Sequence, residues 1–379
     1  MKDKMLILTN RPLHNGPRMI REFNTFQEQF DIVAFGRTKP TNPRIEYIDI
    51  STFLPLFNYI LIQAFRVLYY YKLTNRIYER YPLIEKYILS NDFKIIIIHD
   101  PTFLPLVASI KKKLDIKVIY NAHEYHPLEF EERKNWVNTI GRYHYKLCRT
   151  YFPSLDLLVN VCEGIAQKCK SEFGIESIVI PNAASGSTIS PSNNEGRIRM
   201  IYHGAIMKSR GLEAMLDVAG ILGNEYQLDI MAVASPKTQS YFDELRAYST
   251  KFSNISFLEP VPFNEIVATI NKYDIGLYML MPTNFNNFHA LPNKLFEFIQ
   301  AKLAIAIGPS EEMRKYVEKY EIGVVSEQFT AESLASKVRE ISRADIVRYK
   351  KNAVGASLLE NAEVYSDLYL AHVQSMILS

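Results

Sequence analysis

Short apolar runs and helical stripes alternate along almost the whole chain. Met5-Leu-Ile-Leu-Thr9 reads as a first buried strand, a loop runs from Asn10 to Pro17, and Arg18-Met-Ile-Arg-Glu22 opens a helix. Asp31-Ile-Val-Ala-Phe35 is a second strand, so the chain begins with a βαβ unit whose loop lies at a strand C-terminal end. Lys94-Ile-Ile-Ile-Ile98 is apolar at every position after its lysine, the pattern of a central parallel strand covered on both faces. A helix through Leu114, strands at 117–120 and 156–161, a helix from Glu163 to Phe173 and a strand at 177–180 continue the alternation.

Residues 183–195 interrupt it. They are rich in Ser and Asn, carry Gly186 and Pro191, and read as a linker and hinge. The alternation then restarts, with strands at 198–202, 227–233, 255–258, 274–278, 304–308 and 323–325. Helices are expected at 212–222, 237–251 and 263–271, through Ala301, and from Glu311, Ala331 and Asp345. The expected class is α/β: two doubly wound Rossmann-like domains, 1–182 and 196–359, facing across a cleft between their strand ends.

Composition narrows the classes. The chain has 379 residues, enough for two domains, and its 47% hydrophobic content is that of a globular protein. A net charge of +3 gives no argument for nucleic acid. Cys148, Cys162 and Cys169 form neither a metal spacing nor an even-numbered framework, which fits a reducing cytosol. No secretory leader is evident, and the run from Ile50 to Phe65 is short for a bilayer span and contains Pro55. A soluble or peripheral cytoplasmic protein is expected. Residues 51–90 interleave Phe53, Phe57, Tyr59, Phe65 and Tyr69 to Tyr71 with Arg66, Lys72, Arg76 and Arg80. That mixture suits a membrane surface, expected through 51–80, and equally a helix pair packed on a sheet with its polar edge solvated.

Candidate chemistry collects at strand ends. The strand at 94–98 ends in His99-Asp100 and the next in Asn121-Ala-His123-Glu124, so a parallel sheet places two histidine–carboxylate pairs on one edge. A structural histidine is the bland alternative for each. No third ligand at zinc-like spacing is present, so a metal is not expected. Gly16 is the single glycine of the first loop, without the spacing of a dinucleotide fingerprint. Lys208 and Arg210 precede Gly211 on the first loop of the second half, where cations suit a diphosphate; a solvated lysine accounts for Lys208 equally. Finally, a loop holding His289 leads through Pro292 into a helix expected to be capped by Asn293, with Glu297 one turn in. A helix start favours an anion, and a carboxylate beside it suits ribose hydroxyls. An amphipathic helix with a solvated glutamate would show the same letters.

Together these pieces resemble the retaining glycosyltransferases of GT-B fold that carry a Glu-x7-Glu signature. The resemblance rests on Asn15-Gly-Pro-Arg-Met-Ile-Arg-Glu22, Tyr120-Asn-Ala-His-Glu124, Val159-Asn-Val-Cys-Glu163, Val179-Ile-Pro-Asn182 and Tyr202-His-Gly-Ala-Ile-Met-Lys-Ser-Arg-Gly211. It continues through Leu291-Pro-Asn-Lys-Leu-Phe-Glu297, Ala304-Ile-Ala-Ile-Gly308 and Glu312-Met-Arg314, which are similar to a bacterial surface-polysaccharide branch. It implies His123, Arg210 and Glu297 as the catalytic set. It implies a donor site of Gly16, Gly204, Lys208, Arg210, His289, Pro292, Asn293, Lys294, Leu295 and Glu297, and an acceptor side of His99, Asp100 and Glu124. It also implies that the last segment, 360–379, packs back on the first domain. The first signature glutamate falls on His289 and the family's usual arginine on Ala205, so Lys294 or Lys208 is expected to replace the lost charge.

The function implied is sugar transfer, with retention, from a UDP- or GDP-sugar to a hydroxyl of a glycan or lipid-linked saccharide in capsule, O-antigen or exopolysaccharide synthesis. Neither cofactor nor obligate metal is expected. A non-catalytic GT-B partner of another glycosyltransferase, or a nucleotide-sugar epimerase, would use the same architecture.

Overall fold

A computed structural model describes residues 2–14, 16–53 and 82–378. Most of the aromatic and basic stretch, 54–81, lies outside the described residues, and so does the membrane-contact expectation that rests on it. Among the described residues there are thirteen strands: β1 Asp3–Leu8, β2 Phe30–Gly36, β3 Glu46–Asp49, β4 Phe93–Ile98, β5 Lys117–Asn121, β6 Leu157–Asn160, β7 Ile178–Val179, β8 Ile198–Ala205, β9 Tyr226–Val233, β10 Ile255–Leu258, β11 Ile275–Tyr278, β12 Ala304–Ile307 and β13 Gly323–Val325. The longer helices are α1 Pro17–Phe26, α2 Pro82–Leu89, α3 Leu104–Lys111, α4 Arg142–Tyr151, α5 Glu163–Phe173, α6 Leu212–Leu222, α7 Gln239–Ser249, α8 Asn293–Gln300, α9 Glu311–Lys319, α10 Ala331–Arg339, α11 Arg343–Leu359 and α12 Ala362–Leu378. None of the described helices is long and apolar enough to cross a membrane.

The chain divides into two compact units. One holds Met1–Pro181 with Asn284–Asn286 and Ser366–Ser379; the other holds Asn182–Thr283 and Asn287–Tyr365. The first contains a seven-stranded sheet of order β3-β2-β1-β4-β5-β6-β7 and the second a six-stranded sheet of order β10-β9-β8-β11-β12-β13. Every strand pair is parallel. Continuous apolar strands make this possible, because helices cover both faces. On one face of the first sheet Met5, Ile7, Ile95, Ile97, Ile119 and Val159 meet Phe23 and Phe26 of α1 and Tyr369 and Val373 of α12. On the other face Leu6, Leu8, Ile96 and Ile98 are buried as completely.

In each sheet the strand order reverses once, between β1 and β4 and between β8 and β11. Beyond the C-terminal ends of such strands an open α/β sheet leaves its ligand crevice. Several local expectations are corrected. The strand expected at 198–202 runs on through residues 203–204 as part of β8, with Gly204 paired to Ala232. Residues 285–288 form a helical turn where a loop is expected, and β3 is an edge strand with little apolar signal.

Candidate functional site

In the second unit the reversal point gathers the ends of β8 and β11 and the start of α8. Lys294 is only 6% exposed. Its ammonium lies 5.2 Å from the ring centre of Tyr202 and 5.0 Å from that of Tyr278, between two aromatic rings. Gly204 covers it from the strand: a Cβ there would sit 2.6 Å from Lys294 Nζ, and φ is +125°, so only glycine lets the backbone approach the amine. Burial, and after it the charge of Arg210, bring the Lys294 ammonium down to about 7; Glu297 pulls less strongly the other way.

Glu297, 4% exposed, lies one turn further along α8. Its Oε2 is 3.4 Å from Nε2 of the buried His203. Burial, then Lys294, push that imidazole down to about 3, so the contact joins a carboxylate to a neutral ring. Nothing in the spacing of His203 marks it; it becomes visible only when β8 and α8 meet. Arg210 is half-buried, with Nη1 donating to the Ala205 carbonyl at 3.3 Å, and it precedes Gly211 in the left-handed region at φ +59°.

One expectation for α8 changes. Asn293 is not the cap. Pro292 holds that position with extended backbone at φ −79° and ψ 154°, because its ring fixes φ and leaves no N–H to bond. Asn293 is the first helical residue, and its side chain bonds that of Asn182. No side chain caps α8, so its first-turn N–H groups keep the orientation that suits an anion. Leu295 is buried in the core, and its N–H donates to the Pro292 carbonyl at 3.1 Å. Lys208 is exposed. His289 is half-buried; its Nδ1 stands 3.7 Å from Oε1 of the buried Glu312, and its ring meets that of Phe288 edge-on at 4.8 Å.

In the first unit β4 and β5 are adjacent, and the structure brings their histidines together: His99 Nδ1 is 2.8 Å from His123 Nε2. His99 is fully buried, and its Nε2 is 2.7 Å from Glu22 Oε2 on α1. Both of its ring nitrogens are thus engaged inside the unit. Glu22 Oε1 accepts from Asn121 Nδ2 at 2.7 Å, Arg18 donates to Asn121 Oδ1, and the Tyr369 hydroxyl lies 3.5 Å from Glu22 Oε1. Burial alone would raise the Glu22 carboxyl; His99, Asn121 and Arg18 outweigh it and hold it below its ordinary value. Burial lowers the Arg18 guanidinium to about 10. Burial, then Arg18 and His99, push the half-buried His123 well below the imidazole range, so it is neutral at pH 7. Glu22 and Asn121 fall inside two of the motifs quoted above, but no role is read for them there, and Tyr369 carries no sequence signal for this site.

Asp100 holds the loop after β1. Its Oδ2 accepts from the Thr9 hydroxyl at 3.1 Å and from the Asn10 N–H at 2.8 Å. Glu124 is half-buried nearby. Burial, and then Glu124, raise Glu129 to about 7. Among the described residues no group of three or more His, Cys, Asp or Glu could hold a metal ion. Gly16 precedes α1 at φ −84°, and a Cβ there would touch only the Cβ of Met19 at an ordinary 3.6 Å. Nothing within the described chain requires glycine here. Gly16→Ala is thus expected to change stability by no more than about 0.5–1 kcal/mol. It should still weaken any ligand whose phosphate approaches that backbone. Thermal unfolding beside nucleotide titration separates the two effects.

Residues 18–185 match the family model of Glycosyltransferase Family 4. No curated protein sequence matches the chain. Among solved structures, sucrose-phosphate synthase from Thermosynechococcus elongatus is similar over 100% of both chains, with a TM-score of 0.74 at 11% identity. The E. coli trehalose-6-phosphate protein bound with UDP-2-fluoro glucose covers 99% of both chains, with a TM-score of 0.67 at 11% identity. The lipopolysaccharide outer core galactosyltransferase WaaB, in its apo form, covers 98% of this chain and 99% of its own, with a TM-score of 0.67 at 13% identity. The fold is GT-B.

Proposed function

We propose that this chain is a retaining glycosyltransferase. It moves a sugar from a UDP- or GDP-sugar to a hydroxyl of a glycan or lipid-linked saccharide in the assembly of a bacterial surface polysaccharide. The observation that carries this reading is the group at the second unit's reversal point: buried Lys294 and Glu297, half-buried Arg210 and an uncapped start to α8. Two cations and a helix start without a side-chain cap suit a diphosphate, and a carboxylate one turn on suits the ribose diol. The family match over the first unit supports the same class, as does the UDP-sugar analogue named with the E. coli neighbour.

In the proposed step the bond from the anomeric carbon to the diphosphate oxygen breaks while the acceptor oxygen bonds that carbon on the same face. The acceptor's proton passes to the departing diphosphate. The chain contributes positioning and charge: Arg210, Lys294 and the α8 N–H groups take the developing negative charge, and no metal is invoked. His123 faces the sugar. A lipid-linked acceptor would bring the protein to the cytoplasmic face of a membrane, with 51–80 as the contact.

The test is a thermal-shift panel of UDP, GDP, ADP and their sugars, followed by product NMR. One nucleotide series should raise the unfolding midpoint, by about 2.7 kcal/mol of stabilisation at a hundredfold excess over Kd. An α-linked donor should then yield an α-linked product. Binding without transfer or donor hydrolysis across the panel would instead favour a non-catalytic partner of another glycosyltransferase.

A further inference from the structure

We propose that an apolar pocket in the first unit, walled by the 125–128 loop and the turn Val137–Gly141, takes the first carbons of a lipid phosphate, with Arg142 at its rim meeting the phosphate. The lipid's role as acceptor rests on the glycosyltransferase reading; its binding does not.

One glycine shapes the pocket. The short helix Lys134–Trp136 runs into Val137–Gly141, which is wound as a wide π turn, and then into α4. A Cβ at Gly141 would sit 2.8 Å from the Pro127 carbonyl oxygen and 2.8 Å from the Trp136 ring, so only glycine lets the turn press against the loop after β5. A π turn shifts its side chains out of the α-helical register, and such turns are frequent at functional sites. Between turn, loop and α4 an open pocket of about 190 Å³ remains.

Its walls are apolar. Pro127, Leu128 and Val137 line it together with the rings of Tyr125 and Tyr145. Both rings are held in place. Tyr125 gives its hydroxyl to Glu172, and its ring lies 6.2 Å from that of Phe173 and 5.3 Å from that of Phe285. Tyr145 lies 5.3 Å from Phe173.

Charge selects the occupant. The charged residues in the lining are Glu172 and Arg142. Glu172 is taken up by the Tyr125 hydroxyl and by Lys168 at 2.7 Å. Arg142 begins a basic face of α4, on which Lys146 and Arg149 follow at i+4 and i+7, all three exposed. The helix carries no acidic residue. An apolar pocket beside cations on one face is complementary to an anionic amphiphile. A phosphate, with several oxygens and more than one negative charge, suits the guanidinium fork and the neighbouring cations better than a single carboxylate does. A neutral apolar ligand would use the same walls and leave the basic face without a counterpart.

The pocket also limits the saccharide. Tyr125 lies two residues beyond His123, a reach of at most about 7 Å along the chain. A lipid whose chain enters here brings only the first sugars past its phosphate to His123, so a short lipid-linked saccharide fits and a long glycan does not.

Trp136 is the only tryptophan of the chain and directly precedes the turn, so its emission reports on the pocket. The experiment titrates the full chain, without nucleotide, with hexyl, octyl, decyl and dodecyl phosphate below their micelle concentrations, following emission and, independently, heat. Octanol serves as the uncharged probe and inorganic phosphate as the tailless one. Alkyl phosphates should bind saturably, with affinity rising about fourfold per methylene until the pocket is full and level beyond that. Octanol should bind about tenfold more weakly than octyl phosphate, and inorganic phosphate should give no response. Arg142→Gln should cost about tenfold for octyl phosphate and leave octanol unchanged. Val137→Phe, which fills the pocket, should remove both responses. Octanol binding as tightly as octyl phosphate would mean an uncharged apolar site and overturn the proposal. Affinity that keeps climbing with every methylene, the mark of adsorption to a surface, does so too, as does indifference to Arg142→Gln or a response to inorganic phosphate alone. Should Val137→Phe not fold, the chain-length plateau and Arg142→Gln decide. Because no nucleotide is present, failure here is distinct from failure of the nucleotide panel.

Discussion

Lys294→Met is expected to stabilise the protein and to weaken its donor binding in the same variant. The amine is taken out of water, and burial with the repulsion of Arg210 outweighs the attraction of Glu297, so its charge costs stability. Methionine has similar length, no charge, and packs between the Tyr202 and Tyr278 rings. Replacing such a buried charge by an apolar side chain gains on the order of 1–4 kcal/mol. The sign of the pH dependence follows from the lowered value. The unfolded chain keeps the Lys294 proton up to about 10.5, and the folded chain only to about 7. Between these limits the unfolded state binds more protons, so native stability rises with pH across the window, and the penalty is full below about 7. The advantage of Lys294→Met in urea unfolding should therefore be largest near pH 6 and shrink toward pH 10. Nucleotide affinity should move the opposite way, falling about tenfold to a hundredfold through loss of one charge-assisted hydrogen bond to the diphosphate. Unchanged affinity would remove Lys294 from the donor site.

Glu297→Gln is expected to lower affinity for the cognate nucleoside diphosphate by about 1.5–3 kcal/mol, roughly tenfold to a hundredfold. The amide keeps the shape but turns one acceptor into donors, so a ribose diol can no longer give both protons. The direct check is a cycle with a 2′-deoxy nucleotide. Native protein should discriminate against the deoxy ligand, and Glu297→Gln should discriminate much less, with a coupling of 0.5 kcal/mol or more. Additive losses would mean that Glu297, buried beside His203, acts only on the fold. Circular dichroism and unfolding of the variant separate that case from misfolding.

Both residues show how differently the two levels of information speak. The alternation of apolar strand and amphipathic helix was enough to read two α/β halves, because a strand buried on both faces must be apolar throughout, as Ile95 to Ile98 are. Parallel winding then puts His99 and His123 on one sheet edge, since adjacent parallel strands end on the same side. Cap and turn positions were less legible. Asn293 has the chemistry of a cap, but Pro292 before it takes the position by its fixed dihedral. At residues 203–204 a glycine suggests a turn, yet here it serves a close approach by Lys294 inside a strand.

What remained hidden depends on partners far apart in sequence. Glu22 and His99 are separated by most of the first half of the first unit, and only the packing of α1 against the β4 end joins them. Lys294 is expected from the sequence only as one of two cations replacing a lost charge; the meeting of β8, β11 and α8 is what removes it from water. Likewise Tyr369, near the end of the chain, reaches Glu22 through α12. The sequence alone determined the class of fold, the strand ends at which chemistry collects and the residue types available there, because these follow from local periodicity. The tertiary structure decided which of those residues are buried and which groups they face. Desolvation and hydrogen-bond direction depend on what lies opposite, and that is not written in the spacing of a single segment.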